Sequence, residues 1–310
     1  MKTKSALLFV SACLGLALLW PGAALAQQPP IKIGLVQGIS GPFEVYAKQV
    51  VEGFKLGLEY GTGGKHELLG RKVQVIIEDD QLKPDVSKRL VTKLYADDKV
   101  DLVVGTTSSA AALAILPVAA EFKKLLLVEP AVADSITGEH WNRYVFRTGR
   151  NSGQDAISNA LAVAKPGAQI ATIAQDYAFG KDGVAAYKAA VEKLGAKVVH
   201  EEYTPVQATD FTAPIQRIIG SLKDKPGEKY VFVIWAGKGG PFPQLVASRL
   251  DKYGITLTSG GNVLDGKKHL YGESFAIYGL AEYARAFDDA KAREEALELF
   301  RLIDRKAHDT

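Results

Sequence analysis

Leu102-Val103-Val104-Gly105-Thr106-Thr107-Ser108-Ser109-Ala110-Ala111-Ala112-Leu113 is the stretch on which the reading of this chain turns. An apolar run with two β-branched valines reads as a buried strand. Gly105 lets the backbone turn, and Ser108 or Ser109 suits the N-cap of the alanine-rich helix that follows. Strand, tight polar turn and helix start therefore come in immediate succession. Unpaired N–H groups of the first helical turn, the hydroxyls of Thr107, Ser108 and Ser109, and the positive end of the helix dipole converge on one small volume at the carboxyl edge of a sheet. A carboxylate or another small anion fits there. The competing reading is that Ser108 and Ser109 only cap their helix and meet water.

The same alternation extends in both directions. Ile31 to Val36 reads as a first strand, followed by a turn at Gly38 to Pro42 and a helix with Val50, Val51, Phe54 and Leu58 on one face. Val73 to Ile77 is a second strand. Pro84 opens a helix running to about Asp98, with Val86, Leu90 and Leu94 spaced every four residues. After the quoted stretch, Leu125 to Val128 is a fourth strand. Apolar strands separated by amphipathic helices predict a parallel, doubly wound sheet covered on both faces.

At Phe146-Arg147-Thr148-Gly149-Arg150-Asn151-Ser152 a short strand gives way to a polar, glycine-containing segment, and the pattern restarts. Strands are expected at Ile170 to Ala174, Val198 to Glu202, Tyr230 to Trp235 and weakly near Thr256. Helices are expected at Gly180 to Leu194, Ala213 to Leu222 and Pro243 to Tyr253. The predicted organisation is an N-terminal lobe over residues 27–148, a second lobe over 149–276, and a crossover with an atypical charged helical tail over 277–310. Two Rossmann-like lobes joined at a polar hinge leave a cleft between them, at the carboxyl ends of their strands.

Composition sets limits on function. With 310 residues, 47% hydrophobic and 24% charged, the chain can bury a large core, and a formal charge of +3 gives no reason to expect nucleic acid. Lys2 and Lys4, the apolar run from Ala6 to Trp20, and Ala24-Leu25-Ala26 before Gln27 read as a secretory signal peptide cut after Ala26. Val10-Ser11-Ala12-Cys13 also resembles a lipoprotein processing site, although it would leave a greasy stub behind the lipidated cysteine. Cys13 is the chain's one cysteine, so the exported part carries no disulfide. A periplasmic monomer without a membrane span is expected.

Catalytic motifs are missing. There is no phosphate loop, and Gly237-Lys238-Gly239-Gly240 lacks dinucleotide-turn spacing. The five histidines have no metal-ligand spacing, and Ser109 is not in a G-x-S-x-G elbow. Glu78-Asp79-Asp80 ends a strand without a base or nucleophile nearby in sequence. No cofactor and no enzymatic activity are expected. What remains is binding chemistry: Tyr46, Tyr177, Phe179 and Trp235 all sit at loops following strands, where aromatic rings can wall a cleft.

These residues resemble the type I periplasmic binding proteins, in the branch that binds leucine, isoleucine and valine. The likeness rests on Ile33-Gly34 with Ser40-Gly41-Pro42, Glu78-Asp79-Asp80, Val104-Gly105 with Ser108-Ser109, Glu129-Pro130-Ala131, and Asp176-Tyr177-Ala178-Phe179-Gly180. It implies two lobes that close over a ligand and present it to the membrane permease of an ABC transporter. Carried over, it implies that Ser109 and the Ala131 backbone bind the ligand's carboxylate, while Tyr46 and Phe179 or Tyr177 cover its side chain. Ala133 stands where that branch has a threonine, and Gly261 where it has an acid. The usual partners of an α-ammonium are thus lost, and a carboxylate without an amine, aromatic or aliphatic, is favoured, with Trp235 and Lys238 contributed by the second lobe. A sensing module for a signalling partner and a truncated product that binds nothing are the alternatives.

Overall fold

The computed structural model describes residues 28–237, 240–259, 262–263 and the single position 294. The leader with Cys13, and also Lys238, Gly261, the crossover near Phe275 to Leu280 and the tail from Ala284 to Lys306, lie outside the described residues.

Two parallel-dominated sheets with helices on both faces make an α/β fold. The first has the order β2-β3-β1-β4-β5-β6, from β1 (Ile31–Gln37), β2 (Glu67–Leu68), β3 (Arg71–Asp79), β4 (Leu102–Gly105), β5 (Leu125–Val128) and β6 (Val145–Arg147). The second has the order β11-β10-β9-β7-β8, from β7 (Gln169–Gln175), β8 (Lys197–Thr204), β9 (Lys229–Ile234), β10 (Ile255–Ser259) and β11 (Asn262–Val263). Only the β2–β3 and β10–β11 pairings are antiparallel. In each sheet the first long strand is interior, and the chain winds first to one side of it and then to the other. The strand order therefore reverses between β1 and β4, and again between β7 and β9. Loops diverge at such points and leave a crevice at the carboxyl edge.

Helices α1 (Glu44–Gly61), α2 (Pro84–Ala96) and α3 (Ser109–Phe122) cover the first sheet. Val91 and Leu94 of α2 and Ile115 and Leu116 of α3 pack with Val103 and Leu126 on one face, while Val51 of α1 packs with Leu35 and Val104 on the other. On the second sheet α4 (Ser152–Val163) and α5 (Ala178–Lys193) bury Ala160, Val184 and Tyr187 against one face. Helices α6 (Thr212–Leu222) and α7 (Phe242–Ala247) bury Ile218, Leu222 and Leu245 against the other. Each fully buried aliphatic side chain contributes about 1.5–3 kcal/mol relative to exposure, so neither sheet depends on any single contact.

Local chemistry accounts for most element boundaries. Pro84 occupies the start of α2. Asn151 caps α4 with its side chain on the Gln154 N–H, and Gln154 reaches back to the Asn151 N–H, a reciprocal capping box. Beside the unforeseen short strand β11, two places depart from the sequence expectation. The helix expected over Pro243 to Tyr253 stops at Ala247, because Arg249 turns left-handed at φ 54° and its guanidinium grips Asp251 at 2.7 and 3.0 Å, leaving a 3-10 turn at Leu250–Tyr253. The β2–β3 hairpin was not foreseen: its turn residues Leu69 and Gly70 both have positive φ, 53° and 74°, a two-residue turn for which leucine is an unusual choice.

Candidate functional site

Both switch points are bridged by a buried glutamine that ends the first strand of its sheet. Gln37 is fully buried; its Nε2 donates to the Glu129 carbonyl at 2.8 Å, and its Oε1 accepts from the Thr107 hydroxyl at 2.7 Å. The Thr107 hydroxyl in turn accepts from the Gly38 N–H at 3.1 Å. Gln175 repeats the device, donating to the Ala236 carbonyl at 2.9 Å and accepting from the Ala236 N–H at 3.1 Å. A primary amide offers one donor and one acceptor edge, which matches a backbone peptide or a hydroxyl–carbonyl pair across a crevice. Sequence reading missed both, because a lone glutamine at a strand end looks like a surface residue.

The serine turn forms as expected, with Ser108 at the N-cap position of α3, but the Ser108 side chain makes no capping bond. Thr106, Thr107, Ser108 and Ser109 are all buried. Gly105 is required here, since a Cβ would lie 2.3 Å from the Val36 carbonyl oxygen. The hydroxyl of Thr106 donates to the buried Asp80, and the hydroxyl of Ser109 accepts from the Ala133 N–H at 3.2 Å. Ala131 and Ala133 are buried as well, and their carbonyls accept from the Arg147 guanidinium. Of the groups assigned to the ligand by sequence, the Thr107 hydroxyl is engaged with Gln37 and Gly38, whereas the Ser109 hydroxyl accepts one bond and keeps its own proton to donate.

Two cavities open beside these loops. One, of about 270 Å³, lies in the second lobe and is walled by Phe179, Phe232, Trp235 and Phe242, with Arg150, Ser152 and Asp155 at its polar side. The other, of about 530 Å³, lies in the first lobe and is lined by Tyr46, Val50, Phe54, Glu129, Thr148 and Arg150 among others. Of the aromatic residues singled out in the sequence, Phe179 and Trp235 line the first cavity and Tyr46 the second. Thr107, Ser108, Ser109, Ala131, Ala133 and Tyr177 line neither of the two. Tyr177 instead stacks at 6.3 Å on Phe43, which comes from the first lobe, and meets Phe179 at 5.9 Å in a tilted pair. Burial raises the pKa of its hydroxyl. The Gly237 N–H meets the Tyr46 hydroxyl at 3.4 Å, so the lobes touch along this aromatic rim.

Behind the rim, the lobes exchange carboxylates. Asp134 of the first lobe accepts from the Gly153 N–H in the first turn of α4 at 3.0 Å, and Asp182 of α5 accepts from the Ser135 N–H at 2.9 Å. Burial pushes the Asp134 carboxyl above its ordinary range, the Gly153 N–H opposes this, and the neighbouring Asp182 adds to it. Arg147 is half-buried in the same cluster, and that burial lowers its pKa. Among the described residues no group of histidine, cysteine and acidic side chains could hold a metal ion, and no helix is long and apolar enough to cross a membrane.

Comparison with known proteins now decides the family. The model of the periplasmic binding protein family matches residues 30–257. This chain belongs to that family. It is 57% identical to an ABC-type branched-chain amino acid transporter from Rhodopseudomonas palustris CGA009 of known crystal structure, over 80% of this chain and 65% of that one, with a TM-score of 0.61. A solute-binding protein of an ABC transporter from Rhodopseudomonas palustris BisB5, solved in complex with 3,4-dihydroxybenzoic acid, is 28% identical over 84% of this chain and 74% of its own, with a TM-score of 0.64. Leu/Ile/Val-binding protein homolog 6 of Brucella abortus is 28% identical over 199 residues, which make up 63% of this chain and 50% of the relative. The chain thus spans about half the length of that curated relative.

Proposed function

We propose that this protein is an exported solute-binding receptor of an ABC importer, which takes a small carboxylate into the space between its lobes and hands it to a membrane permease without chemical change. The observation that carries this reading is the 270 Å³ cavity on the second lobe's side, in which four aromatic rings lie beside Arg150 of the segment joining the two sheets. A cavity of about 150 Å³ holds one benzene ring, so this volume suits a ring bearing a carboxylate and one or two further polar substituents. The dihydroxybenzoate held by the 28% identical neighbour is a ligand of that class. Tyr46, Phe179 and Trp235 would cover the ligand, and Thr107, Ser108, Ser109, Ala131 and Ala133 would hold the loops that frame it. Closure would be a hinge motion between states a few kcal/mol apart, biased by the ligand.

A thermal-shift screen over branched-chain amino acids, aliphatic acids and benzoic acids tests the reading. A ligand at about 100 times its Kd stabilises the folded state by about 2.7 kcal/mol. At roughly 2–4 °C per kcal/mol this raises Tm by about 5–11 °C. Benzoic acids are expected to lead. Leucine or valine as the strongest stabiliser would overturn the preference for an acid without an amine, and no shift with any of these compounds would overturn the receptor reading.

A further inference from the structure

We infer that Arg150, rather than the serine turn, receives the ligand's carboxylate. This rests on the receptor reading above and names the anchoring residue within it. Arg150 lines both cavities, the 270 Å³ one in the second lobe and the 530 Å³ one in the first. It stands in the segment joining the two sheets, between β6 and α4. Its Nε donates to both oxygens of Asp155 at 2.8 Å, and its terminal nitrogens make no hydrogen bond among the described residues. The Nε edge of the guanidinium is therefore fixed, and the end carrying the two terminal nitrogens is left to pair with a second carboxylate in the planar, two-bond geometry that only arginine offers. The side chain is 47% exposed, so its charge stays solvated until a ligand and lobe closure cover it.

The competing anchor is weaker on its own geometry. The Ser109 hydroxyl already holds the Ala133 N–H at 3.2 Å, and Thr107 already serves Gln37 and Gly38. A carboxylate entering there would be received by hydroxyl and backbone N–H donors in a buried turn, where Ser108 is 4% and Ser109 2% exposed, and that turn lines neither of the two cavities. Arg150 lines both cavities and is open to an entering ligand. Asp155 orients the guanidinium without using its terminal donors.

Isothermal titration of the full chain with 3,4-dihydroxybenzoate, and with the matching neutral amide, tests the assignment in wild type, R150Q, R150K, D155N and S109A. Loss of a charge-assisted bidentate pair weakens binding by about 30- to 100-fold in R150Q. R150K is expected to recover part of that loss, since a lysine supplies the charge without the fork. D155N should lose less than R150Q, and S109A should stay within about threefold of wild type. The amide should bind wild type and R150Q about equally weakly, a readout that a merely structural role for Arg150 would not produce. Melting temperatures without ligand separate misfolding from lost contacts, and D155N, which keeps the arginine, decides the matter if R150Q does not fold. R150Q binding the acid as tightly as wild type, or S109A losing as much as R150Q, would overturn Arg150 as anchor and leave the receptor reading standing. A wild type that binds none of the screened acids would remove both.

Discussion

The Gln175→Leu substitution tests whether the second switch point is held by one side chain. Leucine is close in volume and leaves no cavity, so the expected effect is almost purely that of the lost amide. Gln175 is 1% exposed and makes two bonds to Ala236, at 2.9 and 3.1 Å. A typical buried hydrogen bond contributes about 1 kcal/mol net, and a backbone group left without a partner costs about 1–3 kcal/mol. Ala236 is only part-buried, so its freed N–H and C=O can recover some hydration, and the total is expected near 3 kcal/mol, lowering Tm by roughly 6–12 °C. The Trp235-Ala236 turn should loosen with it, and binding of the best ligand from the screen should weaken more than overall stability alone predicts. Differential scanning calorimetry with and without ligand measures both effects. Gln216→Leu, on the exposed side of α6, is the control for adding an apolar side chain at a glutamine position. A Tm for Gln175→Leu within about 2 °C of wild type would refute the reasoning, because two buried bonds cannot vanish at so small a cost.

Gly180→Ala should fail where Gly220→Ala succeeds. A Cβ at Gly180 would lie 1.9 Å from the Gln175 carbonyl oxygen, forcing α5 away from β7 at about 1–3 kcal/mol, whereas nothing lies within 4 Å at Gly220, where alanine should stabilise α6 by about 1 kcal/mol. Urea melts of the two variants with equal midpoints would contradict this. Asp134→Asn keeps an acceptor for the Gly153 N–H and removes the charge. A carboxyl whose pKa is raised on folding holds its proton more firmly in the folded chain, so stability falls as the pH rises from the ordinary value of 3.8 through the folded one. Because the group remains partly in water, the variant should gain at most about 1 kcal/mol over wild type at pH 7, with the advantage closing as pH drops through that window. A variant less stable than wild type at pH 7 in denaturant titrations would show that the charge is needed where it stands.

Most of the fold was legible because its signals are periodic. Apolar runs such as Leu102 to Val104 and Tyr230 to Ile234 are too short and too β-branched for helices, and the four-residue spacing of α2 is unambiguous; both became the expected elements. The failures came where a single residue overrode the pattern. Arg249 in a left-handed conformation ends α7 early, and nothing in an apolar count signals that. Leu69, 94% exposed, closes a hairpin at φ 53° in a turn normally filled by asparagine or glycine, so the turn carries no residue signal.

Sequence position foresaw which aromatic rings line cavities and did not foresee how the polar groups pair, and the difference is physical. A ring in a loop after a strand has few places to go except the space between sheet edges, so Tyr46, Phe179 and Trp235 could be placed by position alone. Hydroxyls and amides can pair with each other, and which of them do so depends on contacts up to 92 residues apart in sequence, as between Gln37 and Glu129. The threonines before the serine turn therefore looked open in sequence, yet Thr106 is engaged by Asp80 and Thr107 by Gln37 in the folded chain, and Ser109 accepts from the Ala133 N–H. The same bookkeeping gives the converse for Arg150: its sequence neighbourhood suggested only a polar hinge, while the fold leaves it among the cavity-lining groups with donors still to fill. On the proposed receptor reading, a ligand paired with Arg150 contributes bonds that are absent from the empty state, the condition for a ligand to shift the balance between two conformations.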